Sequence, residues 1–293
     1  MRLICGQREP DAPDGAEKGI VSMTTYKPGI SELPWPKLQV LYGARADLRA
    51  AFENSRRVVT AWDGQTLVGA ARLLGDNIYV MAADVEVAPG AADPQLRKGL
   101  LEALLEGGDA LRVYSTAPVP EAEPAYRALG FRRHKTGYVL PPGAPRPTAG
   151  ATTLCVHGTD AIEWSQLNAL YDEVGLVGGL AAQKRYQEIR DAFLTSQRVV
   201  TAWQGNRLVG AARMLGDRAR YGLVVDVGVR EQLQGQGIGR QLMAQLLRNS
   251  EGLSIWLTST LDFQPFYQRL GFVKQPDLLA RFPGVTGPSE YLE

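Results

Sequence analysis

The stretch RVVTAWDGQTLVGAARLLGD at residues 57–76 returns at 198–217 as RVVTAWQGNRLVGAARMLGD, with sixteen of twenty positions identical. A repeat of this quality obliges one chain to build the same supersecondary unit twice. The correspondence runs outward from it. Gly29 and Trp35 answer to Gly158 and Trp164, and Leu41–Tyr42 to Leu170–Tyr171. DVEV at 84–87 matches DVGV at 226–229, and AYRALGF at 125–131 matches FYQRLGF at 266–272. A spacing near 130–140 residues is too long for a solenoid unit, and 293 residues accommodate two domains with full cores. The reading is a disordered tail over 1–18, a first domain over 19–140, a Pro/Gly linker PPGAPRPTAG over 141–150, and a second domain over 151–293. The second copy carries about twelve extra residues, around GLVGGLAAQKRY at 175–186.

Within the second copy the periodicities predict an element order. TTLCVH (152–157) reads as a strand, and AIEWSQLNALYDEV (161–174) and RYQEIRDAFL (185–194) as amphipathic helices. A β-branched hairpin follows around Gln204–Gly205–Asn206, then the mostly apolar strand YGLVVDVGV at 221–229. Beyond the glycines, Ile238, Leu242, Met243, Leu246 and Leu247 mark one face of a helix. LSIWLTS (253–259) is a strand, Phe263, Phe266, Tyr267 and Leu270 predict a short helix, and GFV closes the copy. The fold class is mixed α/β.

Composition narrows the function classes. A formal net charge of +1 gives no field for nucleic acid or an anionic membrane, and no apolar run has the length of a membrane span. Cys5 and Cys155 lie far apart and make no disulfide framework. No His, Cys or carboxylate spacing suggests a metal, and His134 and His157 read as surface residues. The expected setting is the cytoplasm.

The chemistry concentrates in VREQLQGQGIGRQLMAQLL, residues 229–247. A buried strand that runs into a glycine turn and then a helix presents unpaired N–H groups and the positive end of the helix dipole to an anion. Gln234-x-x-Gly237-x-Gly239 is neither a Walker sequence nor a dinucleotide fingerprint. Placed after such a strand, it resembles the acetyl-CoA motif of the GNAT superfamily of N-acetyltransferases, Gln/Arg-x-x-Gly-x-Gly/Ala after the fourth strand. The element order and FYQRLGF match as well, and the resemblance covers 152–283 and, by duplication, the first copy. LNALYDEVG, VVTAWQGNRLVGAAR and QGQGIG are most similar to small bacterial and plastid-type members, among them the plant serotonin N-acetyltransferases.

The resemblance implies two tandem GNAT folds, each a twisted, mostly antiparallel mixed sheet flanked by helices. It implies acetyl-CoA in a V-shaped opening between strands 223–229 and 253–258. The pyrophosphate would be held by the backbone of Gln234, Gly235, Gln236, Gly237, Ile238, Gly239 and Arg240, and the pantetheine by Val227, Gly228 and Val229. A primary amine would attack the thioester directly. Tyr267 takes the family's place for the acid that protonates the leaving thiolate, although Tyr126 stands at the same place in the first copy. Asp226 is the first candidate for a base and Glu173 a weaker second. Asp84 matches Asp226, which equally suggests a structural role common to both copies.

The first copy has lost the glycines. Aligned without a gap, Asp93, Pro94, Gln95 and Arg97 replace Gly235, Gln236, Gly237 and Gly239. Proline removes an N–H, and the other three add side chains or negative charge where an anion should approach. The expectation is an acetyl-CoA-dependent enzyme active in its second copy on a small-molecule primary amine. A protein lysine or N-terminal amine is the alternative acceptor, and a non-catalytic acyl-CoA-binding scaffold the rival from another class.

Overall fold

In a computed structural model of the chain, which describes residues 24–293 apart from 32, 44, 92, 93 and 118, the two copies follow one course. The tail 1–18 and Asp93 lie outside the described residues. The first copy runs β1 (Thr25–Pro28), α1 (Trp35–Tyr42), α2 (Leu48–Glu53), β2 (Arg57–Asp63), β3 (Thr66–Gly75), β4 (Tyr79–Val87), α3 (Pro94–Leu105), β5 (Arg112–Thr116), α4 (Glu123–Arg127), β6 (Arg132–Arg133) and β7 (Gly137–Leu140). The second runs β8 (Leu154–His157), α5 (Trp164–Val174), α6 (Tyr186–Leu194), β9 (Arg198–Gln204), β10 (Arg207–Gly216), β11 (Tyr221–Val229), α7 (Ile238–Leu246), β12 (Ser254–Thr258), α8 (Gln264–Arg269), β13 (Val273–Lys274) and β14 (Leu278–Arg281). The periodicities therefore located each element of the second copy up to β13. They missed β14.

That missed strand changes the architecture. One sheet has the order β1-β2-β3-β4-β5-β14-β6 and the other β13-β7-β12-β11-β10-β9-β8. The two copies exchange their last strands. Leu278–Arg281 pairs antiparallel with β5, and Gly137–Leu140 pairs antiparallel with β12, Leu257 opposite Tyr138. The linear boundary at 140–151 thus does not separate the sheets. The exchanged segments GYVL and LLAR are four residues long and largely buried. Segments so short carry too little pattern to say which of two similar sheets they will join.

A common core ties the copies together. Leu74, Ile78, Tyr79 and Met81 pack in one cluster with Tyr171, Val177, Leu215 and Leu223. The extra residues 175–186 belong to this joint: Val177 is fully buried, and a Cβ on Gly178 would stand 2.8 Å from Ile78 Cγ2.

Two fully buried arginines cross it. Arg72 Nε lies 2.6 Å from Asp84, and its Nη2 2.7 Å from Asp217 of the other copy. Arg213 repeats the arrangement, with Nε 2.7 Å from Asp226 and Nη1 on Asp76 of the first copy. Asp76 also accepts the N–H groups of Ile78 and Tyr79, and Asp217 those of Ala219, Arg220 and Tyr221. Each guanidinium joins a bend in its own copy to a turn in the other. Charges this deeply buried persist only where pairing and hydrogen bonds offset their desolvation.

Candidate active site

The cleft arises where β11 leaves its parallel partner. The two strands pair from Tyr221–Ser254 to Val224–Leu257 and no further, while β11 stays paired with β10 as far as Val229. On the cleft side the backbone of 225–229 is therefore unpaired by β12. The bend has a local cause. Asp226 sits at φ 53°, opposite a register shift between Ala211 and Arg213, which is a β-bulge. The first copy repeats it, with Asp84 at φ 48° and the shift between Ala70 and Arg72. Left-handed backbone at a non-glycine residue is unfavourable and needs support from its surroundings. Tyr171 donates to the Asp226 carbonyl at 2.8 Å, and Tyr42 to that of Asp84 at 2.6 Å.

This geometry gives the Asp226 carboxylate, expected as a base, a full set of protein partners. Its side chain is 1% exposed. One carboxylate oxygen accepts from Tyr79 Oη at 3.0 Å and from the N–H of Val177 at 3.1 Å, and the other from Arg213 Nε. The carboxylate faces the joint between the copies, and its contacts are those of a brace for the bulge. Asp84 is held alike, by Arg72, by Tyr221 Oη at 3.1 Å and by Arg220 at 2.8 Å. Glu173, the second candidate, is committed as well: it pairs with Arg230 at 2.5 Å and accepts the Glu231 N–H at 2.9 Å.

The glycine loop is built as its spacing suggests. Gly235 and Gly237 adopt φ 78° and 86°, and Gly237 caps α7 in the left-handed region, where a side chain is disfavoured. A Cβ on Gly235 would meet nothing within 4 Å. The N–H groups of Gly235 through Arg240 donate to no acceptor among the described residues. Gln234 turns its amide back onto the Val229 carbonyl. Gln241 Oε1 accepts the N–H groups of Thr152 and Thr153, and Arg240 Nε donates to the Thr148 carbonyl, which ties the linker to the loop. Loop, bent strand, Thr258–Thr260 and Phe263–Leu270 enclose a cleft of about 630 Å³ with Tyr267 in its wall. Such a set of free amides beside an unpaired strand edge fits a pyrophosphate followed by an amide-bearing arm.

Tyr267 is 9% exposed, and burial pushes its hydroxyl well above the usual tyrosine range. It makes no hydrogen bond among the described residues. Tyr126, its equivalent, differs: its hydroxyl donates to the Thr116 carbonyl at 3.3 Å.

In the first copy one side chain reaches the corresponding strand edge. Arg97 stands where Gly239 does and is 8% exposed. Its Nη1 donates to the carbonyl of Val85, the counterpart of Val227. It occupies the strand edge that stays unpaired in the second copy. Burial raises the Tyr126 hydroxyl to about 12, and nearby Arg97 acts in the opposite sense. Of the two histidines, His157 is exposed as expected. His134 is not; it is 4% exposed, stacked on Tyr291 between Tyr114 and Phe282, and its Nδ1 accepts the Thr136 N–H at 3.2 Å. Sequence reasoning also passed over Tyr138, Gln264 and Gln268, although the substitutions at 264 and 268 between the repeats were visible.

Comparison with known proteins agrees with this anatomy. The family model of the acetyltransferase (GNAT) domain matches residues 176–286, which hold the loop and the cleft. An uncharacterized N-acetyltransferase of Porphyra purpurea, ycf52, is 33% identical over 126 residues, covering 41% of this chain and 70% of that protein. A solved Drosophila protein superposes with a TM-score of 0.53 at 14% identity, over 89% of this chain and 99% of its own. The GCN5-related glucosamine N-acetyltransferase region of a fungal multi-domain GH3 β-N-acetylglucosaminidase gives 0.51 at 15%, over 89% of this chain and 38% of that one. These last two likenesses bear on the fold alone. A strand that parts from its neighbour at a bulge, a glycine loop of free amides, and a relative identical at a third of the 126 aligned positions place the chain in the GNAT superfamily, as a GNAT-type N-acetyltransferase built from two copies of the fold.

Proposed function

We propose that the second copy transfers an acetyl group from acetyl-CoA to the primary amine of a small molecule by direct attack on the thioester. The observation that carries this reading is the opposite state of two equivalent clefts: free amides at 235–240 beside an unpaired strand in one, and Arg97 on that strand in the other. Acetyl-CoA, when bound, supplies the activated acyl group. The loop amides of Gly235 to Arg240 hold its pyrophosphate, while the Gln234 N–H, expected among them, instead donates to the Glu231 carbonyl at 3.2 Å. The backbone of Val227, Gly228 and Val229 holds its pantetheine arm in the manner of an added strand. Tyr267, kept protonated by burial and without a hydrogen-bond partner among the described residues, gives its proton to the departing sulfur as the nitrogen–carbon bond forms and the carbon–sulfur bond breaks. The proton shed by the amine passes through cleft water to restore the phenol. Asp226 and Arg213 keep the strand bent and take no part in proton transfer.

Titration calorimetry should give one acetyl-CoA per chain, and thiol release should follow with at least one member of a panel of spermidine, tyramine, glucosamine and free lysine. A stoichiometry of two would show the first copy to be a working site. Binding without turnover on any amine, peptide amines included, would return the chain to the class of acyl-CoA binders.

A further inference from the structure

The exchanged strand β7 brings one polar group from the first copy up against the helix that carries Tyr267. Tyr138 is fully buried in the cluster that holds Leu257, Tyr267 and Phe272. Its hydroxyl donates to Gln264 Oε1 at 2.8 Å and accepts from Gln268 Nε2 at 3.4 Å. Gln264 and Gln268 lie one helical turn apart and flank Tyr267 on α8. That helix is six residues long, has no side-chain cap and has a proline in its first turn, so little within it fixes its position. Gln264 passes the tie onward, its Nε2 donating to the Leu261 carbonyl at 3.2 Å in the turn that carries Phe263 to the cleft.

The plugged copy lacks this clasp altogether. Leu279 occupies the register position of Tyr138, opposite Ser115. Glu123 and Arg127 replace Gln264 and Gln268 and pair with each other at 2.8 Å, Glu123 also with Arg133 at 2.7 Å. The hydroxyl and both glutamines are present only where the cleft is open, although the strand and the helix are present in both copies.

We infer that Tyr138 is a positioning residue for the acetyl transfer: from the first copy, it holds α8 through Gln264 and Gln268 so that the Tyr267 hydroxyl faces the reacting sulfur. The inference rests on the assignment of Tyr267 as the acid. It also gives the first copy a part in catalysis after the loss of its own glycine loop.

The test is a double-mutant cycle between Tyr138→Phe and Tyr267→Phe, with turnover measured on the best acceptor of the amine panel. Tyr267→Phe should lower kcat by roughly 100–10,000-fold, the range for loss of a general acid, and Tyr126→Phe should leave it unchanged. Tyr138→Phe keeps the ring and removes both hydrogen bonds; kcat should fall by roughly 3–30-fold with the calorimetric acetyl-CoA affinity unchanged. Added to Tyr267→Phe, it should cost less than about twofold more. Amides of 264–270 should exchange faster in Tyr138→Phe, and Gln264→Met should reproduce the whole phenotype from the other side of the bond. If Tyr267→Phe slows turnover but Tyr138→Phe does not, or if Tyr138→Phe costs the same in both backgrounds, the positioning role is wrong and the acid assignment stands. If Tyr267→Phe turns over at the wild-type rate, both fall.

Discussion

The clefts of the two copies share a backbone and differ in what fills them. Both have the bulge aspartate, the buried arginine and the tyrosine that grips the bent strand: Asp84, Arg72 and Tyr42 in one, Asp226, Arg213 and Tyr171 in the other. They part at Arg97 against Gly239, at Leu279 against Tyr138, and at Glu123 and Arg127 against Gln264 and Gln268. The residues held in common brace the fold and the joint. Those that differ touch the ligand space or the helix beside it. A duplicated chain thereby lets scaffold and site be compared within one sequence, and the carboxylate that reads as catalytic in one copy has a twin held by an equivalent arginine and tyrosine in the other.

The comparison breaks most completely at the glycine loop. Gly239→Arg gives the second copy the plug of the first, a side chain long enough to reach the Val227 carbonyl. Loss of two or three amide–phosphate contacts, at roughly 1.5–3 kcal/mol each, should weaken acetyl-CoA binding by several orders of magnitude. Calorimetry should then detect no site, with the thermal transition little changed because α3 already tolerates arginine there. Binding that survives would mean that Arg97 is not what closes the first cleft.

The brace gives the next effect. Asp226→Asn leaves Arg213 with one buried carboxylate fewer, and Asp84→Asn does the same to Arg72. Each should destabilise the chain by about 3–5 kcal/mol in denaturant titration. The two costs should be similar, and the rising limb of kcat/KM against pH should remain in Asp226→Asn. Disappearance of that limb in Asp226→Asn alone would restore the carboxylate as a base.

The smallest effect concerns a position where the joint itself is unequal. His134 and Gln275 are equivalent, and their N–H groups donate to Leu278 and Gly137 at the start of each exchanged strand. Burial, with Arg112 nearby, lowers the His134 pKa to about 4. Because the folded value lies below the unfolded one, the unfolded chain takes the proton first. Stability is intact above the unfolded value near 6.5 and is lost as pH falls toward 4, by up to about 3 kcal/mol. His134→Gln should remove that part of the acid sensitivity in chemical denaturation at pH 7 and pH 4.5. An unaltered slope would place the acid-labile group elsewhere.

Much of this molecule was legible before any coordinate. The repeat implied two folds, periodicity located the helices and the hairpins, and the ungapped alignment pointed to Gly239 and Arg97. These are local matters, written in spacing and in the presence or absence of a β-carbon. The rest depends on partners distant in the chain. Asp226 reads as a cleft carboxylate until Tyr79, 147 residues away, and Arg213 are seen to bind it. Tyr138 reads as the end of a domain until its strand is found in the other sheet. His134 reads as a surface residue until the tail of the second copy packs over it. Pattern constrains which face of a segment is buried; which of two near-identical sheets a four-residue strand enters is decided by chain connectivity and packing across the joint, and that choice set Tyr138 beside Gln264 and Gln268.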